Sequence, residues 1–215
     1  MFANANSKKR WSFFLTGAAQ AEPVRPQVAT PIPGEAGWAP QSGVVWYWYD
    51  FACPFSYVGQ HRPEILRRHG LEVVELPFQN HPEVPPGGIA SSPPDDGTKE
   101  RITEEAAEAG LEVRWPTRLP SSRMALAAAE WVRVNEPSAF VAFQSALFRA
   151  HFAFGEDIES AAVIEAHALA AGVYVPFLRN AISNGSAEAA VVRARRSALS
   201  IGVRGAASWV GPQGP

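Results

Sequence analysis

The sequence contains very little cysteine: Cys53 is the only one among its 215 residues. A single cysteine excludes an internal disulfide, so no disulfide framework holds the fold or indicates the redox compartment. The five histidines are scattered, and none has metal-ligand spacing with Cys53, so we expect no metal site. Glycine patterns that bind phosphate or dinucleotides are also missing, which argues against nucleotide-dependent chemistry.

Charge excess and long apolar runs are missing as well. The formal net charge is -2, which gives no reason to expect nucleic acid or an anionic membrane as a partner. No uninterrupted apolar run approaches the length of a membrane span. Arg193, Arg195 and Arg196 form a short basic cluster, which we interpret as a solvated helix face. The 47% hydrophobic content and the length predict one globular domain that carries an insertion.

Residues 1–43 are interpreted as a disordered leader. The stretch "SKKRWSFFLTGAAQAEP" has a basic start, a short apolar part and an Ala-Gln-Ala triplet, features of a secretion signal. Its apolar part is short and interrupted, and the following segment is rich in proline. We therefore favour a cytoplasmic location, with a periplasmic or secreted location as the alternative.

A strand, a helix and a second strand are predicted in residues 44–97. "VVWYWY" at 44–49 is a continuous apolar run, typical of a strand buried on both faces. A helical pattern begins at Pro54, should kink at Pro63 and ends at Gly70. "LEVVELPF" at 71–78 is the second strand, which predicts a βαβ unit with parallel strands, followed by a long loop.

Residues 98–201 are helical in pattern and predict an inserted all-helical domain. "AASWVG" at 206–211 then predicts a third strand, so residues 202–215 return to the sheet. The fold class is α/β, with the helical domain inserted after the βαβ unit.

Cys53 is predicted to lie at the N-terminus of the helix that begins at Pro54. Unpaired N–H groups and the helix dipole at that position should lower the pKa of the thiol and favour a reactive thiolate. Ser56 lies one turn further and can donate a hydrogen bond to the sulfur. The alternative reading is that Cys53 is a small buried hydrophobe.

The stretch "DFACPFSYVGQ" and the order of elements resemble the DsbA-like thioredoxin-fold family, in particular its FrnE-type branch. "ALFRAHFAFGEDI" and "ALSIGVRGAASWV" are further matches in the family's order. The segment is also similar to 2-hydroxychromene-2-carboxylate isomerases and kappa-class glutathione transferases, which bind glutathione. The resemblance implies a thioredoxin-like fold whose catalytic residues are Cys53 and Ser56. Pro54, Phe55 and Tyr57 complete the motif.

Three departures from the family pattern alter these expectations. The family's second cysteine falls on Ser56, so Cys53 cannot cycle as a two-cysteine oxidant and would act as a monothiol. The family's cis-proline falls on Ala207, and because a cis bond before alanine is costly we expect a trans bond there. The chain ends where the family adds a strand and a closing helix, which predicts a sheet edge and part of one sheet face without their usual cover.

Three functions follow as hypotheses. The first is a monothiol thiol-disulfide oxidoreductase, acting through thiolate attack and mixed-disulfide formation on a protein or glutathione substrate. The second is a glutathione-dependent isomerase or transferase, and the third is an inactive thioredoxin-like interaction module. No cofactor is required, although glutathione is a candidate co-substrate, and a homo-oligomer could cover the exposed sheet edge. The substrate is expected to contact the loop opposite Cys53, namely Arg204, Gly205, Ala206 and Ala207.

Overall fold

Strands and helices follow the order that the sequence predicts, with two short strands added. The computed structural model describes residues 38–39 and 41–212, so most of the predicted leader lies outside the described residues. The strands are β1 (Val44–Tyr49), β2 (Glu72–Pro77), β3 (Ile89–Ala90), β4 (Arg118–Leu119) and β5 (Ser208–Val210). The helices are α1 (Pro54–Gly59), α2 (Arg62–Arg68), α3 (Asp96–Glu108), α4 (Arg123–Asn135), α5 (Pro137–Arg149), α6 (Ala161–Ala170), α7 (Val175–Ser183) and α8 (Ser186–Ser200), and a π-helix (Ala150–Phe154) directly follows α5.

The main sheet has the strand order β2-β1-β5. β1 and β2 are parallel, as the βαβ prediction requires, and Trp46 is paired with Val74. β5 runs antiparallel to β1, where Tyr47 is paired with Trp209. The sheet and its helices confirm the predicted α/β class.

β1 is buried on both faces, as its continuous apolar run predicts. Successive side chains of a strand point to opposite faces, so Tyr47 and Tyr49 belong to one core cluster while Trp46 and Trp48 belong to the other. All four side chains are fully buried. The strand that leads to Cys53 is therefore fixed by packing on both sides.

The predicted kink at Pro63 is a complete break. α1 ends at Gly59 and α2 begins at Arg62, with Pro63 in its first turn. Proline lacks the N–H that would continue the helix, and its ring crowds the carbonyl four residues earlier. The break leaves α1 with only six residues, which matters for the thiol at its start.

The helices of residues 98–201 supply one wall of the core. α4 and α5 bury Leu126, Phe143 and Leu147 against the sheet side that carries Tyr49.

The stretches predicted as loop or extended chain contain the two short strands β3 and β4, which pair antiparallel through Ile89 and Leu119. Two-residue strands are below the length at which a sequence pattern is detectable.

The face of the sheet that carries Trp46 and Trp48 is packed against other parts of the chain, and the expectation that part of a face lacks its usual cover stays a prediction. Trp46 packs edge-on against Trp38, with ring centroids 5.3 Å apart, and Ala198 and Val203 join the same cluster. Trp38 belongs to the predicted leader, so the folded part begins before residue 44. In the described part of the chain β5 pairs with β1 alone. The homo-oligomer predicted to cover that edge stays a prediction.

No helix within residues 38–39 and 41–212 is both long and apolar enough to cross a membrane.

Candidate active site

Cys53 occupies the junction that the sequence predicts, between the end of β1 and the start of α1. Its backbone N–H donates to the Asp50 carbonyl at 3.0 Å, and its own carbonyl accepts from the Tyr57 N–H at 3.1 Å. Cys53 is the N-cap residue of α1, and Pro54 lies in the first turn. The turn and the helix start thus fix the thiol from both sides.

The loop that enters β5 faces this thiol. Cys53 Sγ donates a hydrogen bond to the Ala206 carbonyl at 3.2 Å. Asn80 holds the same residue twice: its Oδ1 accepts from the Ala206 N–H at 2.8 Å, and its Nδ2 donates to the Ala206 carbonyl at 3.3 Å. Cys53 and the predicted substrate-contact loop are therefore brought together, and Asn80, which the sequence analysis missed, fixes the loop.

The peptide bond between Ala206 and Ala207 is cis. The expectation of a trans bond, which rested on the cost of a cis bond before alanine, was wrong. The local conformation at this position follows the family pattern even though alanine replaces the proline.

Ser56 is fully buried beneath the site. Its Oγ accepts a hydrogen bond from the Asp50 N–H at 3.3 Å, which ties α1 to the end of β1. Hydrogen bonding from the backbone and side chain of Ser56 favours the thiolate form of Cys53. Ser56 thus has both a structural contact and an influence on the thiol.

The pKa of the Cys53 thiol is raised, which corrects the expectation of a lowered one. Burial is the largest cause, since only 6% of the residue is exposed, and hydrogen bonding from Ser56 offsets only part of it. The thiol also donates its proton to Ala206, a contact that only the neutral form can make. Because α1 has six residues, few aligned peptide dipoles act on the sulfur.

Asp50, directly after β1, is a buried carboxyl close to the thiol. Its Oδ1 accepts from the Ala52 N–H at 3.0 Å, and its Oδ2 accepts from the Asn80 N–H at 2.7 Å. Burial raises the pKa of Asp50, although these hydrogen bonds and one with Ser122 oppose the shift. Its charge in turn raises the pKa of Cys53. An acidic residue directly after a fully apolar strand was the signal that could have identified it.

Replacing Asp50 with asparagine should lower the pKa of Cys53, because the neighbouring negative charge disappears. The curve of alkylation rate against pH should therefore shift to lower pH.

Folded Asp50 keeps its proton to higher pH than unfolded Asp50, so its contribution to stability falls as pH rises from 3.8 through the raised pKa. The stability advantage of the wild type over the variant should consequently shrink with rising pH.

Urea unfolding across the acid-to-neutral range measures this difference, and Glu104→Gln provides an exposed carboxylate as control. A constant stability difference at all pH values, together with an unchanged alkylation curve, would show that Asp50 does not interact with the thiol.

The other predicted motif residues lie around the thiol with separate contacts. Tyr57 is buried, stacks on Phe152 at a centroid distance of 4.9 Å, and donates its hydroxyl to the Glu112 carbonyl at 2.6 Å. Phe55 lies under the guanidinium of Arg101 at 4.8 Å. These contacts join α1 to α3 and to the segment after α5.

Arg204 and Gly205 lie on the same loop as Ala206. Arg204 donates to the Leu199 carbonyl at 2.8 Å, so its guanidinium is engaged at the C-terminus of α8. A Cβ added to Gly205 would lie 3.4 Å from Asn80 Oδ1, so the loop passes close to the Asn80 side chain at this residue. Contact of these residues with a substrate stays a prediction.

Two clefts with shared lining residues lie near the segment that contains Cys53, and the narrow one is lined by residues on either side of it. Ala52 and Pro54 line the narrow cleft, of about 80 Å³, together with Trp115 and His151, and the last two also line the wider cleft of about 570 Å³. Burial lowers the pKa of His151 to about 4, and Arg118 adds to the shift, so the imidazole is neutral at physiological pH. In the sequence His151 was one scattered histidine, and no spacing identified it.

Within the described residues no group of three or more histidine, cysteine or acidic side chains is arranged to hold a metal ion.

Comparison with known proteins identifies the family. The DSBA-like thioredoxin domain matches residues 44–208, so the chain belongs to this family, as the resemblance implied. The thioredoxin-like fold is thereby confirmed. No curated protein matches the chain significantly.

Solved structures show the same fold at low sequence identity. A probable DsbA oxidoreductase from Streptomyces coelicolor is 23% identical, with a TM-score of 0.62 over 78% of this chain and 79% of that one. A 2-hydroxychromene-2-carboxylate isomerase is 19% identical, with a TM-score of 0.62 over 77% of this chain and 84% of its own. The cytosolic disulfide reductase DsbM from Pseudomonas aeruginosa, solved with GSH, is 19% identical, with a TM-score of 0.55 over 77% and 84% of the two chains.

Proposed function

We propose that this protein carries out thiol-disulfide exchange with Cys53 as its single reacting thiol. The observation that carries the proposal is the contact of Cys53 Sγ with the Ala206 carbonyl, 3.2 Å away on the loop that enters β5. It unites, in one site, the cysteine and the loop that the family resemblance assigns to substrate contact. Membership in the DSBA-like thioredoxin domain family supports the same class of reaction.

The reaction needs three exchange steps and two external thiols. The Cys53 thiolate attacks one sulfur of a substrate disulfide, forming a mixed disulfide and releasing the other sulfur as a thiol. Ser56 cannot complete the exchange, so a second thiol from solution, such as glutathione, attacks the mixed disulfide and restores Cys53. Another external thiol then attacks the mixed disulfide released in that step, which frees the second substrate thiol and leaves a disulfide between the two external thiols. In sum, one substrate disulfide is reduced and two external thiols are oxidised.

The resting site is closed and protonated. The thiol is nearly inaccessible and donates its proton to Ala206, and its pKa is raised by burial. A thiolate forms only when this contact opens and the sulfur meets solvent or substrate. We therefore propose that exchange at neutral pH is slow until a substrate displaces the loop that holds Ala206.

Glutathione is the small-thiol substrate that we propose to test first. The structure of the DsbM relative is described as containing GSH, and the isomerase relative has the same fold. Arg204 belongs to the loop that the sequence predicts to contact the substrate, and it would have to leave the Leu199 carbonyl to bind a carboxylate of glutathione. A substitution at Arg204 that leaves glutathione exchange unchanged would assign the residue to helix capping alone.

The proposal predicts a mixed disulfide at Cys53 that forms faster as pH rises. With oxidised glutathione as substrate, the rate should still be increasing above pH 9, because burial raises the thiol pKa above its ordinary value of 9.0. Mass spectrometry of the intact protein at timed intervals measures the adduct. Cys53→Ser should form none.

Two outcomes would contradict the proposal. A rate that levels off below neutral pH would mean an open, stabilised thiolate instead of the closed site. The second outcome is that neither glutathione disulfide nor a peptide disulfide forms an adduct, even at high pH. That result would favour the non-catalytic thioredoxin-like module, and the buried, protonated thiol is the observation that supports this alternative. Calorimetric titration with reduced glutathione separates the isomerase or transferase alternative, which requires binding.

A further inference from the structure

A cleft between α8 and the segment that follows β2 is lined by side chains suited to bind an anion. We propose that it binds a phosphate group, either free phosphate or the phosphate of a small monoester. The cleft, called here the α8 cleft, has a volume of about 360 Å³ and is lined by Gln79, Arg123, Glu188, Arg195, Arg196 and apolar side chains. This inference does not depend on the thiol chemistry of Cys53.

Positive charge is concentrated in the α8 cleft although the whole chain has a formal net charge of -2. Three of its side chains are arginines and one is a glutamate. The glutamate, Glu188, lies 3.2 Å from Arg123 at a half-exposed position, and such pairs are weak and easily exchanged. Exposed Glu83 lies close enough to Arg195 to be influenced by its charge. Arg196 has no hydrogen-bond or ion-pair partner within the described residues.

Arg195 is held in place so that its terminal nitrogens remain available. Its Nε donates to the Gln79 carbonyl at 2.9 Å, and its guanidinium lies 5.3 Å from the centre of the Phe78 ring. Its two terminal nitrogens have no partner among the residues that the structure describes. A guanidinium whose position is fixed before binding loses less entropy when it engages an anion in a forked geometry.

The side chain of Gln79 gives a second and independent indication. Gln79 is only 6% exposed, lines the α8 cleft, and its Nε2 has no hydrogen-bond partner in the described chain. A buried amide donor without a partner has a free-energy cost, because the hydrogen bonds that it would make with water are not replaced. An acceptor oxygen of a ligand in the cleft would remove that cost, after rotation of the amide where this is needed.

The combination of donors favours a phosphate over a carboxylate. A phosphate monoester has a charge of about -1.5 to -2 at neutral pH and three terminal oxygens, whereas a carboxylate has two oxygens and one charge. Arg195, Arg196 and the Gln79 amide together supply donors for three oxygens. Arg123 can add a further contact if it leaves Glu188.

Calorimetric titration with inorganic phosphate tests the proposal, with chloride used to keep the ionic strength constant. Arg196→Ala should weaken binding about tenfold, since it removes a charged donor that has no hydrogen bond or ion pair among the described residues of the free protein. Arg195→Lys should also weaken binding, because the charge stays while the fork is lost. Arg193→Ala, which removes an exposed arginine of α8 outside the cleft, is the matched control and should change affinity less than twofold.

Glycerol phosphate, titrated in parallel, distinguishes the two sources of the group. Tighter binding than inorganic phosphate would assign a monoester, and equal or weaker binding would assign free phosphate. The proposal is overturned if phosphate binds no better than chloride, or if Arg193→Ala weakens binding as much as Arg196→Ala does. Urea unfolding of every variant shows whether it is folded, and a loss of binding is interpreted only for variants that are.

Discussion

Replacing Ser56 with cysteine is expected to convert the site into a dithiol and to raise disulfide-reductase turnover by about tenfold or more. The slow step of a monothiol cycle is the arrival of an external thiol, and an internal thiol replaces it with a unimolecular attack. Residues three apart at a helix start have Cβ atoms about 5–6 Å from each other, close to the separation that a disulfide spans after a small adjustment. Insulin reduction by the variant, in the presence of a reducing agent, measures the gain.

The control for this variant places a second cysteine elsewhere. Ser183→Cys adds an exposed thiol on α7 and should leave turnover unchanged while the thiol count becomes the same. Oxidised Ser56→Cys protein should contain no free thiol, because Cys53 is paired internally. A folded variant that stays fully reduced after oxidation would refute the view that the site lacks only a resolving cysteine.

The substitution also has a structural cost that can be anticipated. Ser56 is fully buried, and its Oγ accepts a hydrogen bond from the Asp50 N–H. A larger sulfur in that position both loses the contact and crowds the packing, at about 1–3 kcal/mol. Reduced stability together with higher turnover would therefore agree with the geometry of the site.

Much of the fold could be predicted from the sequence because its strongest patterns were long. The apolar run from Val44 to Tyr49 and the helical periodicity of residues 98–201 each extend over enough residues to identify the element. Pro54 predicted a helix start and Pro63 a kink, which the structure shows to be a break, since proline acts locally whatever its tertiary surroundings. The two-residue strands β3 and β4 offered no such pattern and are formed by tertiary packing.

The position of Cys53 at the start of a helix was predicted correctly, whereas its electrostatics were not. Helix dipoles and neighbouring donors can be inferred from sequence, but desolvation depends on which distant residues cover the thiol. Ala206, at a separation of 153 residues, provides part of that cover, and its contact with Cys53 keeps the proton on sulfur. Asp50 acts in the same direction, because a buried carboxylate disfavours a second negative charge nearby.

The helices of residues 98–201 and the thiol site share one aromatic cluster. Removing the ring at its centre is expected to have a large effect on stability. Phe148 of α5 is fully buried, with its ring 4.7 Å from Phe51 and 6.0 Å from Tyr49. Phe148→Ala should lower the free energy of unfolding by about 3–5 kcal/mol, because the transfer energy is lost and a cavity remains. Urea unfolding monitored by circular dichroism measures the change.

The same variant should also expose the thiol, since Phe51 and Tyr57 flank Cys53 in sequence and both rings pack against Phe148. Alkylation of Cys53 under conditions where the variant stays folded should then be faster than in the wild type. Val141→Ala removes an exposed side chain from the same helix and should change stability by no more than about 0.5 kcal/mol. If Phe148→Ala lowers the free energy of unfolding by less than about 1 kcal/mol, the cluster collapses around the missing ring. In that case the helices of residues 98–201 are not what keeps Cys53 buried.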